Sequence, residues 1–244
     1  MHIKLDKLFT QMFTVFQNRK TVTLAMLALF SFLGTQVYAH GVDENTQTFL
    51  SGNSGVAFIP FLYIGAKHMI TGYDHLLFLV GVIFFLYRTK EILLYVSMFT
   101  IGHSITLLLG VMADIAINAY LIDAIIALSI VYKGFDNLGG FKRFFGKQPN
   151  TKAAVLIFGL FHGFGLASKL QEFKFDREGL FTNLIGFNVG VEIGQFMALA
   201  LVLLLIITWR RQPSFRRFAT LTNTLLMAAG FLLLGFQLTG YFTS

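Results

Sequence analysis

The chain has 244 residues, of which 55% are hydrophobic and only 13% are charged, whereas soluble domains carry about 25% charged residues. Its mean hydropathy is +0.69, which excludes a disordered chain, a collagen-like fibre and a soluble enzyme. The absence of cysteine excludes disulfides and thiolate metal sites, and the net charge of +7 must be located along the chain before it is interpreted.

The first 39 residues have the pattern of a secretory signal peptide. Basic residues precede an apolar stretch at 22–33, and the small-residue site Val37-Tyr38-Ala39 follows. We therefore predict a signal peptide over 1–39, with cleavage after Ala39, and a short extracytoplasmic segment over 40–55. An uncleaved first helix is the alternative.

Six apolar segments follow this region, and each is long enough to be a candidate membrane helix. They lie at 56–87, 92–112, 118–135, 153–170, 180–209 and 218–242. The predicted fold is therefore all-α, a polytopic membrane bundle of about six mature helices within one domain, 56–244. Pro60 and Gly72 are candidate breaks in the long first segment. No strong internal repeat is visible in the sequence.

The basic residues predict how the chain is oriented in the membrane. Lys and Arg are concentrated in the loops after the first, third and fifth segments, as at Arg88, Lys142 and Arg216. Cytoplasmic loops carry this excess. We therefore predict a multi-pass protein of the cytoplasmic (inner) membrane, with its mature N-terminus and its C-terminus on the extracytoplasmic side. Division of the charge among short loops argues against nucleic acid as a partner.

Ionisable side chains inside the apolar segments are the most informative residues, because each costs about 2.5–3.5 kcal/mol to insert at a helix centre. They are His68, Asp74, His75, His103, Asp123, His162 and Glu192. Lys67 is the one basic residue that we expect near them inside a segment. Acids with so little basic compensation predict a bound cation.

The first segment carries a compact set of ligand types. His68 and His75 are two helical turns apart, so an unbroken helix places both on one face, with Asp74 beside His75. Imidazole and carboxylate together suit Ni²⁺, Co²⁺, Zn²⁺ or Fe²⁺. The alternative is that Asp74 holds a neighbouring histidine in one tautomer.

The next three segments each carry one further candidate. His103 lies between Thr100 and Thr106 on a polar stripe, and His162 is flanked by glycines that allow another helix to approach. A histidine hydrogen-bonded to a threonine or a carbonyl is the structural alternative. Asp123 lies near a helix start, where it can face interfacial water or the helix dipole.

The fifth segment has one polar face and one small-residue face. The polar face comprises Asn188, Glu192 and Gln195. The opposite face comprises Gly186, Gly190 and Gly194. Glycines four residues apart favour close helix packing, whereas three polar residues on one stripe need partners, water or an ion.

These strings resemble the HupE/UreJ family of nickel and cobalt permeases, which are linked to hydrogenase and urease. The stretch from His68 to His75 fits the family's H-x5-D-H motif, Phe161-His162-Gly163 resembles its F-H-G motif, and the strings around His103 and Glu192 are also family-like. The resemblance implies a metal held by the first mature helix. Leu166 and Lys169 stand where the better-understood permeases have a second His and a Glu, which marks a divergent subfamily.

We therefore expect a permease, rather than an enzyme, that takes up Ni²⁺ or Co²⁺, with Zn²⁺ or Fe²⁺ as other possible substrates. The predicted ligands are His68, Asp74, His75, His103, His162 and Glu192. Supporting roles are predicted for Asn188, Gln195, Asp123 and Thr106, and a capture role for His40. The lipid bilayer and the metal ion are the expected partners. An intramembrane zinc-dependent hydrolase and a metal-binding accessory protein without transport activity remain the alternatives.

Overall fold

The computed structural model describes residues 55–115, 117–171 and 179–243. The predicted signal peptide and its cleavage site, His40 and the rest of the segment before Gly55 lie outside these ranges. Within the described part of the chain there are eight α-helices and no strand. They are α1 (Phe58–Thr71), α2 (Tyr73–Ile83), α3 (Thr89–Met112), α4 (Ala119–Asn137), α5 (Gly140–Phe145), α6 (Thr151–Gln171), α7 (Leu180–Arg210) and α8 (Pro213–Thr243).

The predicted all-α membrane fold is confirmed. Four helices, α3, α6, α7 and α8, are long and apolar enough to cross a membrane, and α2 is a shorter apolar helix. The helix α4 contains three charged residues, Asp123, Lys133 and Asp136, which lower its hydropathy. The total of six crossings therefore stays a prediction, although each predicted segment overlaps a described helix.

The first apolar segment is divided at Gly72, one of its two predicted break points. Gly72 has an extended conformation, with φ −70° and ψ 98°, and its N–H caps α1 by donating to the carbonyl of His68 at 2.8 Å. Pro60 lies instead within the first turn of α1, where a missing N–H leaves no helical hydrogen bond unmade. Two half-helices therefore meet within the apolar segment.

The helix α1 packs against α7, which is remote in sequence, through the predicted glycine face. Cβ atoms built at Gly186 and Gly194 would lie 2.6 Å from the carbonyl oxygens of Phe58 and Ala66, and one at Gly190 would overlap the carbonyl oxygen of Leu62. The residue numbers rise together on both helices, so α1 and α7 run parallel. Only residues without a side chain allow this approach.

A second parallel pair, α3 and α6, uses the same kind of contact. A Cβ atom at Gly102 would lie 2.5 Å from the carbonyl oxygen of Leu156, and one at Gly163 would overlap the carbonyl oxygen of His103. Between these positions Thr106 donates its hydroxyl to the carbonyl of Leu160 at 2.7 Å. The third pair, α4 and α8, is antiparallel.

Two separate apolar clusters fill the space among these helices. The α1 cluster contains Phe61, Ile64 and Met69 of α1, Leu107 and Val111 of α3, Leu166 and Leu170 of α6, and Leu184, Phe187 and Val191 of α7. The α2 cluster contains Phe78, Leu79 and Val82 of α2, Ile92, Val96 and Phe99 of α3, Val155 of α6, and Ala198, Leu199 and Val202 of α7. In the broken segment, His68, Asp74 and His75 lie at and between the two clusters.

Replacing Gly190 with alanine is expected to destabilise the fold by about 1–3 kcal/mol, because the added methyl group forces α1 and α7 apart. Gly235→Ala is the matched control. A Cβ atom at Gly235 has no neighbour within 4 Å, and alanine is favoured over glycine in a helix by up to about 1 kcal/mol. Thermal unfolding in detergent measures both variants; equal melting temperatures would contradict close contact at Gly190.

Candidate metal site

Three histidines from three other helices, α1, α3 and α6, surround His75 of α2. Its ring centroid lies 5.1 Å from that of His68, 5.0 Å from that of His162 and 6.1 Å from that of His103. His75, His103 and His162 are each at most 3% exposed, and His68 is half-buried. The break at Gly72 therefore does not separate the two histidines of the first segment.

Hydrogen bonds at the Nδ1 atoms fix the tautomers of two of these rings. The Nδ1 atom of His75 lies 2.9 Å from a carboxylate oxygen of Asp74, and the Nδ1 atom of His162 lies 2.7 Å from the carbonyl oxygen of Phe158. Because an ionised carboxylate and a carbonyl only accept hydrogen bonds, both Nδ1 atoms are the donors. Each neutral ring then presents an Nε2 lone pair, which is the form that binds a metal.

Asp74, His75 and His162 are close enough to share one ion. Each offers a ligand atom, and these atoms all lie within 4.8 Å of one another. Atoms bound to one ion at about 2.0–2.2 Å are at most about 4.4 Å apart, so a small side-chain adjustment completes the geometry. His68 and His103 are the neighbouring imidazoles that extend this donor set.

The broken helix adds a suitable electrostatic environment. Asp74 lies in the first turn of α2, where the helix dipole favours negative charge. The last turn of α1, which ends at Thr71, places carbonyl groups of partial negative charge beside His68. The N-terminus of α2 thus favours the carboxylate of Asp74, and the C-terminus of α1 favours a bound cation.

Aromatic side chains enclose the imidazoles. Phe99 lies 4.9 Å from His162 and 6.1 Å from His75 between ring centroids, and Phe78 lies 5.7 Å from His162. Phe187 lies 6.1 Å from His68. Apolar walls exclude water and strengthen electrostatic interactions at the site. Within the described ranges, neither ring nitrogen of the buried His103 has a hydrogen-bond partner, so that ring remains available as a ligand.

Gly72→Ala is expected to weaken metal binding by about 10–100-fold, the usual cost of disturbing a group that orients a ligand. A Cβ atom there would lie 2.7 Å from Nδ1 of His75 and 3.3 Å from a carboxylate oxygen of Asp74. Gly235→Ala serves again as the control. Titration of the purified variants with Ni²⁺ tests this, and wild-type affinity in Gly72→Ala would contradict the importance of the Asp74–His75 geometry.

Asp123 is held by a basic residue that the sequence analysis did not pair with it. Nζ of Lys169 lies 2.7 Å from a carboxylate oxygen of Asp123, and both residues are buried, at 9% and 7% exposure. The expectation that Lys67 alone supplies a basic partner was wrong, because Lys169 lies within α6 instead of in a loop. Asp123 is therefore neutralised by this ion pair and is not exposed to interfacial water.

The other predicted supporting residues contact helix backbones. Thr106 bonds to the carbonyl groups of α3 and α6, and Asn188 donates to the carbonyl of Leu184 at 3.0 Å. Gln195 accepts from the hydroxyl of Thr100 at 2.7 Å. The Thr106 and Gln195 bonds join neighbouring helices beside the histidine group, which comprises His68, Asp74, His75, His103 and His162, whereas the Asn188 bond lies within α7.

Glu192 is exposed on the outer surface of α7. The structure does not bring it to the histidines, since the buried face of α7 at this level is formed by Val191, Gly194 and Gln195. Glu192 was predicted to be a metal ligand, but it lies apart from the Asp74–His75–His162 group. His40 lies outside the described residues.

Two functional contacts had no signal in the sequence. The carbonyl of Phe158 orients His162, and backbone groups leave no pattern in residue types. The partner of Asp123, Lys169, lies 46 positions away. Helical periodicity places Lys169 on the same face of α6 as His162, seven residues away, but it does not identify Asp123 as its partner.

Comparison with protein families gives a match over most of the chain. The model of a family described as HupE / UreJ protein matches residues 44–244. No curated protein and no solved structure matches the chain. The resemblance first seen in a few motifs thus extends over the whole described region.

Proposed function

The chain belongs to the HupE/UreJ family, and on this premise we propose that it is an inner-membrane permease that takes up Ni²⁺ or Co²⁺ through the buried histidine and carboxylate site. The family is associated with nickel and cobalt transport and with accessory roles in it. Its members are transporters or accessory proteins rather than enzymes.

The buried group Asp74, His75 and His162 is the observation that carries this proposal. A carboxylate and two oriented imidazoles match the donor preference of these borderline metals. No thiolate is available in this chain, which disfavours Cu⁺. His68 and His103 supply further imidazoles, so that an ion can exchange one set of ligands for another as it passes.

The membrane potential is sufficient to drive uptake. A potential of 100 mV, negative inside, contributes about 2.3 kcal/mol for each charge, and therefore about 4.6 kcal/mol for a divalent cation. The single carboxylate of Asp74 leaves a net charge on the bound ion, so the ion is held without being fully neutralised. Release toward the cytoplasm is thereby favoured.

The test is metal flux into proteoliposomes that contain the purified full chain. We expect saturable uptake of Ni²⁺ or Co²⁺, in preference to Zn²⁺ and Fe²⁺, which Asp74→Asn strongly reduces. The matched control is Glu192→Gln, since both substitutions change a carboxylate to an amide within an apolar helix. Only Asp74 lies in the histidine group, so the control variant is expected to transport at the wild-type rate.

Other outcomes separate the alternative functions. Metal binding at the histidine group without flux would support an accessory protein and contradict a permease. Hydrolysis of peptide or lipid that requires Zn²⁺ and Asp74 would support the intramembrane hydrolase. Loss of transport in Glu192→Gln, with Asp74→Asn unaffected, would move the site from the centre of the bundle to the exposed face of α7.

A further inference from the structure

The contacts between α1 and α7 repeat those between α3 and α6, and each pair joins a helix of the first half of the chain to a helix of the second. One constant shift in residue number takes Gly102 and Gly110 of α3 to Gly186 and Gly194 of α7. A second constant shift takes Gly65 of α1 to Gly163 of α6. The α3·α6 pair and the α1·α7 pair can therefore be compared position by position.

The contacts coincide at the Gly102 and Gly65 positions. The Cβ position of Gly102 lies 2.5 Å from the carbonyl oxygen of Leu156, and that of Gly186 lies 2.6 Å from the carbonyl oxygen of Phe58, the residue that the shift assigns to Leu156. Likewise, Gly163 faces the carbonyl of His103, and its equivalent Gly65 faces the carbonyl of Phe187, which is the equivalent of His103.

Two further positions agree. Thr106 bonds to the carbonyl of Leu160, and its equivalent Gly190 contacts the carbonyl of Leu62. Gly110 faces Ala167, and its equivalent Gly194 faces Met69, with Cβ-to-Cβ distances of 2.6 and 3.0 Å. Four matched contacts under two fixed shifts describe one packing arrangement built twice.

The third helix pair is symmetrical with itself. The Cβ position of Gly134 in α4 lies 3.1 Å from the carbonyl oxygen of Asn223 in α8, and that of Gly230 in α8 lies 3.1 Å from the carbonyl oxygen of Ala127 in α4. One constant shift in residue number takes Gly134 to Gly230 and Ala127 to Asn223. Exchanging α4 and α8 therefore turns the Gly134–Asn223 contact into the Gly230–Ala127 contact. A two-fold axis through this pair produces that pattern.

The two halves run in opposite directions. His75 and Phe78 of α2 lie beside His103 and Phe99 of α3 in reverse order, so the first segment is antiparallel to α3. Since α6 is parallel to α3, it is antiparallel to its own equivalent, α1. The two-fold axis therefore lies in the plane of the membrane, as in transporters built from inverted repeats.

The histidine group lies where the two repeated helix pairs meet. His75 continues from α1, whereas His103 and His162 come from the α3·α6 pair. The symmetry is broken at these positions, because the residue equivalent to His103 is Phe187 and the residue equivalent to His162 is Ile64. One shared site at the interface results, rather than two copies.

Both apolar clusters are also built across this interface. The α1 cluster joins Leu107 and Leu170 of one pair to Leu184 of the other, and all three are at most 1% exposed. The α2 cluster joins Phe99 and Val155 to residues of α2 and α7. The buried His75, His103 and His162 therefore lie between two apolar clusters, and the α2 cluster also includes Ile130 of α4 and Leu226 of α8.

We propose that the chain is an inverted repeat whose α1·α7 and α3·α6 pairs rock against each other beside the α4·α8 pair. The α1 cluster and the α2 cluster then open in turn. Each opening exposes the histidine group to one side of the membrane. This inference rests on the proposed transport function. In the structure both apolar clusters are packed, which in this scheme corresponds to the occluded state. Gln195 ties the pairs on the α2 side by bonding to Thr100 and to the carbonyl of Val96.

Single cysteines test the proposal cleanly, because the natural chain contains none. Leu107→Cys reports on the α1 cluster and Val155→Cys on the α2 cluster, with Leu201→Cys, which is 56% exposed on α7, as the lipid-facing control. In vesicles of the full chain, membrane-impermeant thiol reagents are applied to each side in turn. We expect Leu107→Cys and Val155→Cys to react from opposite sides only.

A cross-link then tests whether the two openings are reciprocal. Phe78 and Phe99 face each other across the α2 cluster, with ring centroids 5.5 Å apart, so a thiol cross-linker joins cysteines placed at these positions. With this cluster locked, labelling of Val155→Cys is expected to fall by about tenfold or more while labelling of Leu107→Cys persists or rises. Rocking would be overturned, and a fixed pore indicated, if Leu107→Cys and Val155→Cys were labelled from the same side. An equal fall in the labelling of both cysteines after cross-linking would overturn it as well.

This result does not depend on metal. Reciprocal labelling without transport of any metal would refute the proposed substrate and leave the rocking repeat standing. Metal transport that continues at the wild-type rate with the cross-link closed would refute the rocking repeat and leave the permease standing.

Discussion

Replacing His75 with alanine is expected to reduce Ni²⁺ affinity by about 100-fold or more, beyond the 10–100-fold typical of removing a group that only orients a ligand. His75 is the ring that lies nearest to all the others, with His68 and His162 at 5.1 and 5.0 Å. Its loss removes a ligand and leaves Asp74 without the imidazole that it orients. Equilibrium titration of purified protein measures the effect, and metal flux should fall in parallel.

Asp74→Asn provides the graded comparison. The amide preserves shape but removes the charge, and its one oxygen accepts the hydrogen bond from Nδ1 of His75 more weakly than a carboxylate does, so a loss within about 10–100-fold is expected. Circular dichroism and gel filtration establish that each variant is folded. Unchanged affinity in His75→Ala would show that the metal binds elsewhere.

Replacing Lys169 with methionine is expected to destabilise the protein by about 3–5 kcal/mol, because it leaves the carboxylate of Asp123 buried without its counter-charge. The pair is short, at 2.7 Å, and buried on both sides. Asp123→Asn in the Lys169→Met background removes the isolated charge and is expected to recover most of the loss. Unfolding midpoints of the single and double variants form a double-mutant cycle.

An exposed ion pair serves as the control for this cycle. Arg88 and Glu91 lie 3.8 Å apart with side chains that are 82% and 43% exposed, and such pairs contribute about 0–1 kcal/mol. Arg88→Met is therefore expected to leave the midpoint almost unchanged. If Lys169→Met were equally mild, the ion pair would not stabilise the native protein, and the double variant would then show no recovery.

The helices were predictable because membrane insertion imposes a strong local rule on composition. Long apolar runs gave the fold class, and the residues forbidden by that rule, His75 and His162 above all, marked the centre of the site. The break at Gly72 was also a predicted possibility, because glycine lacks the helix propensity of its neighbours.

Which polar residues contact one another was not predictable. Glu192 and Asp74 look alike in the sequence, as acids within apolar segments, yet one is exposed on α7 and the other is 2% exposed beside His75. Helical periodicity gives the relative directions of side chains on one helix but not the direction in which that helix faces its neighbours.

The repeat was hidden for a related reason. At its matched positions only small residues such as Gly102 and Gly186 are retained, whereas Thr106 is replaced by Gly190 and His103 by Phe187. What is kept is the close approach of two backbones, which depends on the absence of a side chain and leaves little residue identity to detect.

Because α1 packs on α7, and α3 on α6, the site is assembled late in synthesis. When the first three spans have left the ribosome, α1 and α3 are in the membrane without the partners that their carbonyl groups contact, since those partners have not been translated. Helices insert singly and associate afterwards, and domains complete their contacts in the order in which the chain emerges. At about 5–20 residues per second, His162 is synthesised several seconds after His103, and a chain truncated before α6 lacks His162 and cannot complete the histidine group.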